Sequence, residues 1–189
     1  MPSESPRIIQ QLIRDHRNMA RLIDVLQEEL ESYRQTKSAD FEVLSRIVDY
    51  VLNFPELRHH PREDLVFKQL KRKDPTVARQ AEEILADHRE LAAMTRKLSA
   101  AVNNLWHEVE MPRSWFESAI DDFIAKYRRH MRAEEEIYFP LALQNLTAGD
   151  WQMIEAEAEA GRPGDDPLFG GKIDAEYQAL HDRILRLAR

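Results

Sequence analysis

Hydrophobic and polar positions follow one another along most of the chain with the three- and four-residue spacings of an amphipathic helix. In residues 7–35 the apolar positions on this spacing are Ile9, Leu12, Ile13, Met19, Leu22, Ile23, Leu26 and Leu30. The period predicts one long helix with a single buried face. The first 148 residues contain no glycine, which favours long helices over an architecture of strands and turns.

A second helical segment is predicted from about Phe41, with Asp40 as a candidate N-terminal cap. We expect Pro55 and Pro61 to bend or interrupt this segment, because proline donates no backbone hydrogen bond and crowds the preceding turn. The helix is then predicted to resume over residues 62–71.

The rest of the chain shows the same apolar period. It predicts helices at about 76–107, 114–143, 151–159 and 173–187, with a loop rich in glycine, proline and aspartate at 161–171. Four long helices with short connections predict an all-α fold, an up-down-up-down four-helix bundle. We assign residues 1–146 to this bundle and residues 147–189 to a helical extension packed on it.

Composition limits the classes of partner and site. The chain has 189 residues and a formal charge of -7, which argues against nucleic acid or an anionic membrane as a partner. Cysteine is absent, which excludes disulfides, iron–sulfur ligation and thiolate zinc sites, so any metal must be held by His, Asp or Glu. The polar N-terminus and the lack of a long apolar run predict a cytoplasmic protein.

A histidine–glutamate pattern occurs twice in the chain. His88 follows His16 by 72 residues, and both histidines lie between an aspartate and an arginine. His130 follows His59 by 71 residues. His59 begins a His-x-x-x-Glu pair that ends at Glu63, and His130 begins one that ends at Glu134. Each half of the chain therefore predicts a helical hairpin with one histidine on its first helix and a histidine–glutamate pair on its second.

This spacing suits a metal site. Residues four apart lie on one helix face, about 5–6 Å apart at Cβ, so each pair can direct an imidazole and a carboxylate to the same ion. Imidazole with carboxylate suits iron, zinc or manganese, and a glutamate can bridge two ions. Without metal, two buried carboxylates would carry a large desolvation cost. The repeat therefore predicts a dinuclear site with two histidines for each ion.

Other polar residues are assigned more ordinary roles. We expect His107 and His181 to be structural or exposed to solvent, since neither has a partner in the repeat. Asp15 and Asp87 are predicted to be surface charges, although each is close enough to a repeat histidine to orient a neighbour. Tyr127 and Tyr138 are predicted to pack in the core, with a hydrogen-bonding role as the alternative. The apolar wall of the site is predicted to contain Leu12, Met19, Val51, Leu91, Phe123 and Ile137.

The chain resembles the hemerythrin-like, or HHE cation-binding, family. The resemblance lies in the two Asp-His-Arg segments, in residues 54–64, in residues 130–136 followed by Tyr-Phe-Pro, and in residues 166–170. It implies a four-helix bundle with a non-haem di-iron site. The implied ligands are His16, His59, His88 and His130, with Glu63 and Glu134 as bridging carboxylates. His60 is either a further ligand, as in some family members, or a histidine next to the site or on the helix surface.

Two departures separate this chain from the oxygen-carrying hemerythrins. Those proteins have a His-x-x-x-His pair on the third helix, whereas Ala92 lies four residues after His88 here. They end with a His-x-x-x-x-Asp pair, whereas this chain has His130 and Glu134. Ferritin-like di-iron proteins are the alternative family, and they have a Glu-x-x-His pair on each of two helices. Glu56 and His59 form one such pair here, but Tyr127 stands three residues before His130, so the second pair is missing.

The resemblance implies a function. It suggests that two iron ions, with zinc or manganese as possible substitutes, bind or sense a small diatomic ligand or oxidant such as dioxygen, nitric oxide or peroxide. The alternatives are a metal-centred oxidoreductase acting on peroxide or nitric oxide, iron storage or donation, and a structural zinc bundle. The sequence has no nucleotide-binding glycine motif and no nucleophile–base set, which favours a binding protein while leaving turnover open.

Overall fold

The computed structural model describes residues 5–107, 109, 112–161 and 166–187, apart from the side chain of Glu56. Every regular element in these residues is helical, which confirms the all-α class. The helices are α1 (Arg7–Thr36), α2 (Phe41–Phe54), α3 (His60–Lys73), α4 (Pro75–Trp106), α5 (Arg113–Ala133), α6 (Phe139–Asn145), α7 (Ala148–Ala160) and α8 (Gln178–Leu187). None of the described helices is both long enough and apolar enough to cross a membrane.

Side-chain caps set the starts of three helices. The carboxylate of Asp40 accepts a hydrogen bond from the backbone N–H of Val43, as the sequence predicted for α2. Asp74 caps α4 in the same way, with Pro75 in the first turn, where its missing N–H costs nothing. Thr147 and Asp150 form a reciprocal capping box at the start of α7.

Two π-helical turns interrupt the regular hydrogen bonding beside the predicted site. They cover Pro55–His59, between α2 and α3, and Glu134–Tyr138, between α5 and α6. Each turn ends two residues before a proline. The residue after each turn, His60 or Phe139, donates its backbone N–H to the carbonyl five residues back, which widens the turn. The predicted interruption is confirmed, because α2 ends at Phe54 and the π-helical turn Pro55–His59 joins it to α3.

The helices pack into one body. Helix α1 packs against α5, α2 against α4, and α4 against both α3 and α5. The C-terminal elements lie on this body, with α7 against α3 and α8 against α1 and α2. The up-down-up-down order and the division at residue 146 stay predictions, and residues 162–165 of the predicted loop lie outside the described part of the chain.

Buried apolar residues form two clusters that leave a polar layer between them. The large cluster includes Met19, Phe54, Leu91 and Phe123, and the small cluster includes Leu12, Val66, Ile84 and Tyr138. On α1 the small cluster ends at Leu12 and the large one begins at Met19, so His16 lies between them. The predicted wall residues are buried except Ile137, which is 46% exposed on the second π-helical turn, so its assignment was wrong.

Candidate metal centre

Four helical segments meet in the polar layer and bring all seven predicted ligand residues together. Helix α1 supplies His16 and α4 supplies His88, while the segments around the two π-helical turns supply His59, His60, Glu63, His130 and Glu134. Both glutamates are completely buried, and His88 is the most exposed of the seven, at 12% of its side chain. These side chains form two groups, each close enough to hold one cation.

The first group contains His16, His59, Glu63 and Glu134, whose ligand atoms all lie within 4.8 Å of one another. The Nε2 atom of His16 lies 3.1 Å from Nε2 of His59 and 3.2 Å from Oε2 of Glu134. The Nε2 atom of His59 lies 3.2 Å from Oε1 of Glu63. Two imidazole nitrogens and two carboxylate oxygens therefore converge on one point.

The second group contains His60, His88 and His130, again with ligand atoms within 4.8 Å. The same two glutamates reach it with their other oxygens. Nε2 of His88 lies 3.3 Å from Oε2 of Glu63 and 3.3 Å from Oε1 of Glu134. Nε2 of His130 lies 3.1 Å from Oε1 of Glu134, which confirms the predicted same-face placement of this pair.

Each glutamate thus divides its carboxylate between the two groups. Glu63 presents Oε1 to His59 and Oε2 to His88. Glu134 presents Oε2 to His16 and Oε1 to His88 and His130. This is the arrangement that a carboxylate bridge between two cations requires.

Burial and neighbouring charges shift the pKa values of these residues in opposite directions. Burial alone would lower the pKa of His59, but the negative charge of Glu63 and the contact with Asp15 outweigh it and raise the pKa to about 10. His88 follows the same pattern between Glu134 and Glu63, with a pKa of about 9. Burial would raise the pKa of Glu134, but its histidine neighbours hold that pKa well below the usual range.

His60 behaves differently from the other histidines. Burial and the neighbouring His88 lower its pKa to about 3, so this imidazole is neutral at physiological pH. Its ring stacks on that of His88, with centroids 3.8 Å apart and planes 14° from parallel. A neutral imidazole is the form that binds a metal ion.

Several polar atoms at the centre have no hydrogen bond from the described residues. They are both carboxylate oxygens of Glu63, Oε2 of Glu134 and both ring nitrogens of His130. A buried charge without a hydrogen bond is costly, and bound cations would remove that cost for these oxygens and for Nε2 of His130. The donor set of imidazole nitrogen and carboxylate oxygen also suits a borderline divalent metal.

Further charged residues contact the histidines of the two groups. The carboxylate of Asp15 lies 3.5 Å from Nδ1 of His59 and receives a hydrogen bond of 3.3 Å from Arg62. In the second half of the chain, Asp87 lies 3.9 Å from Nδ1 of His130 and is held by Lys126 at 2.7 Å. The prediction of a surface charge is wrong for Asp15, which is only 8% exposed, because it turns inward toward the second helix of its hairpin.

Two contacts were not predicted in detail. Nδ1 of His16 pairs with Oε1 of Glu135 at 2.8 Å. The hydroxyl of Tyr138 donates a hydrogen bond of 2.7 Å to the backbone carbonyl of Glu63, so the hydrogen-bonding alternative holds for this tyrosine. For the contact of Glu135, the available signal in the sequence was its position directly after Glu134.

The remaining histidines lie away from the centre. His107 is exposed at the end of α4 and donates a hydrogen bond from Nδ1 to the carbonyl of Asn103. His181 lies on α8, 3.9 Å from the carboxylate of Asp182. Neither belongs to a metal-sized group among the described residues.

Comparisons with known proteins agree with this geometry. No curated protein sequence matches the chain. A family model, the hemerythrin HHE cation-binding domain, matches residues 7–142, which contain all seven side chains of the two groups. The chain therefore belongs to the hemerythrin HHE cation-binding domain family.

Proposed function

We propose that this protein binds two iron ions in the polar layer and uses them to bind or sense a small diatomic ligand or oxidant. The observation that carries the proposal is the division of each carboxylate between the two histidine groups by Glu63 and Glu134. A single ion would not need all four oxygens in this arrangement. Two ions joined by carboxylate bridges would engage all four oxygens.

The residues would divide unequally between the ions. His16 and His59 would hold the first ion, while His60, His88 and His130 would hold the second. His60 would thereby supply a fifth histidine, which the oxygen-carrying hemerythrins have at the position of Ala92. Iron supplies ferrous and ferric states and affinity for small oxidants when it is bound in such a set.

The surroundings of the centre support a binding or sensing role. The two apolar clusters lie on either side of the polar layer, which limits access of bulk water to the ligands. Helices α1, α4 and α5 fix the histidines on rigid backbone, and Asp15 and Glu135 orient two of the imidazoles through their Nδ1 atoms. A centre built in this way holds its geometry while the oxidation state of the metal changes.

Two other functions use the same residues. The centre would serve a metal-centred oxidoreductase that acts on peroxide or nitric oxide, or a protein that stores or donates iron. The buried position of both glutamates favours retained ions over rapidly exchanged ones, because opening the layer would expose both apolar clusters. We therefore favour binding and sensing over storage and donation.

The test is metal analysis of anaerobically purified protein, followed by absorption spectra before and after exposure to air. We expect about two iron ions per chain, since there are two ligand groups, and new charge-transfer bands when air or nitric oxide is added. Two zinc ions with an unchanged spectrum would support a structural metal site instead. Steady turnover of peroxide would favour the oxidoreductase.

A further inference from the structure

A cavity of about 240 Å³ opens beside the second ligand group. Its walls come from α2, the first π-helical turn, α3, α4 and α5. The residues that matter for its chemistry are Val51, His60, Leu91, Ala92, Arg96 and Tyr127. We propose that this cavity binds a small monovalent anion of the size of a short carboxylate, between His60 at its inner end and Arg96 at its rim. The proposal rests on the function proposed above and adds the chemical class of a ligand.

The cavity reaches the ligand group through one side chain. His60 belongs both to the cavity lining and to the group formed with His88 and His130. It is buried and stacked on His88, so its ring forms a fixed surface between the cavity and the polar layer. A molecule that enters the cavity therefore comes close to the second ligand group without displacing any helix.

The volume exceeds what a diatomic molecule needs. A water molecule occupies about 30 Å³ in the liquid, so the cavity has room for a ligand of several heavy atoms. The space exists because Ala92, one helical turn after His88, presents only a methyl group to it. Leucine at this position would fill part of this space.

The charge of the lining selects an anion. None of the residues that line the cavity is acidic, although the chain carries 34 aspartates and glutamates. The one charged side chain is that of Arg96, which is exposed at the rim. Two divalent ions would carry more positive charge than Glu63 and Glu134 neutralise, so the loaded centre would also attract an anion.

The shape of the lining favours a ligand with an apolar part. Val51 and Leu91 are buried apolar lining residues on α2 and α4, whereas His60 is buried and Arg96 is exposed. A small carboxylate can place its methyl or ethyl group against these walls while its charge remains near Arg96 and His60. Neutral molecules of the same size lack this second interaction.

The test uses zinc-loaded protein, because zinc has no redox chemistry, and measures acetate binding by protein-detected NMR. Acetamide, which has nearly the same size without the charge, is the control ligand. We expect acetate to bind with chemical-shift changes centred on Ala92 and its cavity neighbours, and acetamide to bind about tenfold or more weakly. Equal affinities for acetate and acetamide would overturn the assignment of an anion.

Variants locate the binding. Ala92→Leu should weaken acetate binding about tenfold or more by filling the cavity, whereas Ala93→Leu, an exposed position on the same helix, should leave it within about twofold. Arg96→Gln should weaken it severalfold, and Lys97→Gln should not. Metal content is measured on the same samples. A chain that binds no metal overturns the proposed function and this inference together, whereas two bound ions with unchanged affinity in Ala92→Leu overturn this inference alone.

Discussion

His60 and His88 stack face to face although they come from different helices and lie 28 positions apart in the chain. Their centroid distance of 3.8 Å brings the His60 ring against His88 within the second group. The second ligand group therefore has three histidines, while the first has two. This asymmetry distinguishes the two groups although the sequence repeat that supplies them is nearly symmetric.

The first prediction follows from that asymmetry. His60→Ala should weaken binding at the second group and leave the first group intact, since His60 belongs to the second group and not to the first. Under limiting metal we expect the content to fall from about two ions per chain toward one. Metal analysis after dialysis against a weak chelator measures this. Two tightly held ions in His60→Ala would assign His60 a purely stacking role.

The second prediction concerns the paired histidines. His59→Ala and His130→Ala should each lower metal content, because each removes an imidazole that lies within 3.2 Å of a bridging carboxylate oxygen. His107→Ala is the matched control, since that histidine is exposed at the end of α4. Metal analysis of the three purified variants is the measurement. Equal content in all three would remove the site assignment.

Periodicity and spacing predicted much of this molecule. The helical class follows from the apolar period, and the approach of His130 to Glu134 follows from the four-residue spacing within one helix. The cap at Asp40 was also readable, because a short oxygen-bearing side chain at a helix start bonds to free backbone N–H groups. These features depend on residues close together in the chain.

The features that sequence reasoning missed depend on contacts between helices. The inward turn of Asp15 toward Arg62 and His59 requires the relative rotation of α1 and α3, which spacing does not specify. The two π-helical turns were missed because a proline in a helix is also compatible with a kink or a break. Glu135 was missed because its partner, His16, lies 119 residues away.

The third prediction tests Asp15 as a positioning residue. Asp15→Asn should weaken metal binding about 10- to 100-fold, since a carboxylate facing Nδ1 fixes the ring orientation and basicity of a ligand histidine. Asp24→Asn, which loses only an exposed contact with Arg128, is the control. Competition with a chelator of known affinity gives the ratio. Equal affinities of the two variants would make Asp15 a structural charge only.

The fourth prediction concerns stability. Tyr138→Phe removes the hydrogen bond that this buried hydroxyl donates to the carbonyl of Glu63 and should lower the free energy of unfolding by about 1 kcal/mol. Tyr33→Phe is the control, because the ring of Tyr33 packs edge-on against Phe116 and the substitution keeps that ring. Denaturant unfolding of metal-free protein measures both variants. Equal losses would show that the hydrogen bond of Tyr138 contributes nothing specific.

The last prediction concerns pH. In the metal-free protein His59 and His88 have pKa values of about 10 and about 9, so both are protonated at pH 7. Their folded-state values lie above the ordinary 6.5, so their contribution to stability is complete below pH 6.5 and is lost as the pH rises through 9 to 10. The metal-free protein should therefore become less stable over this range, while its metal affinity rises.

The loss of stability and the rise in metal affinity have the same cause, which is the deprotonation of His59 and His88. A metal ion binds neutral imidazole, so loading at pH 7 must release the protons held by His59 and His88. Calorimetric titration with metal in two buffers of different protonation enthalpy counts these protons, and we expect a release that decreases as the pH approaches 10. In His59→Ala the count should fall by about one. Loading without proton release would mean that the carboxylates of Glu63 and Glu134 do not keep these histidines protonated before the metal arrives.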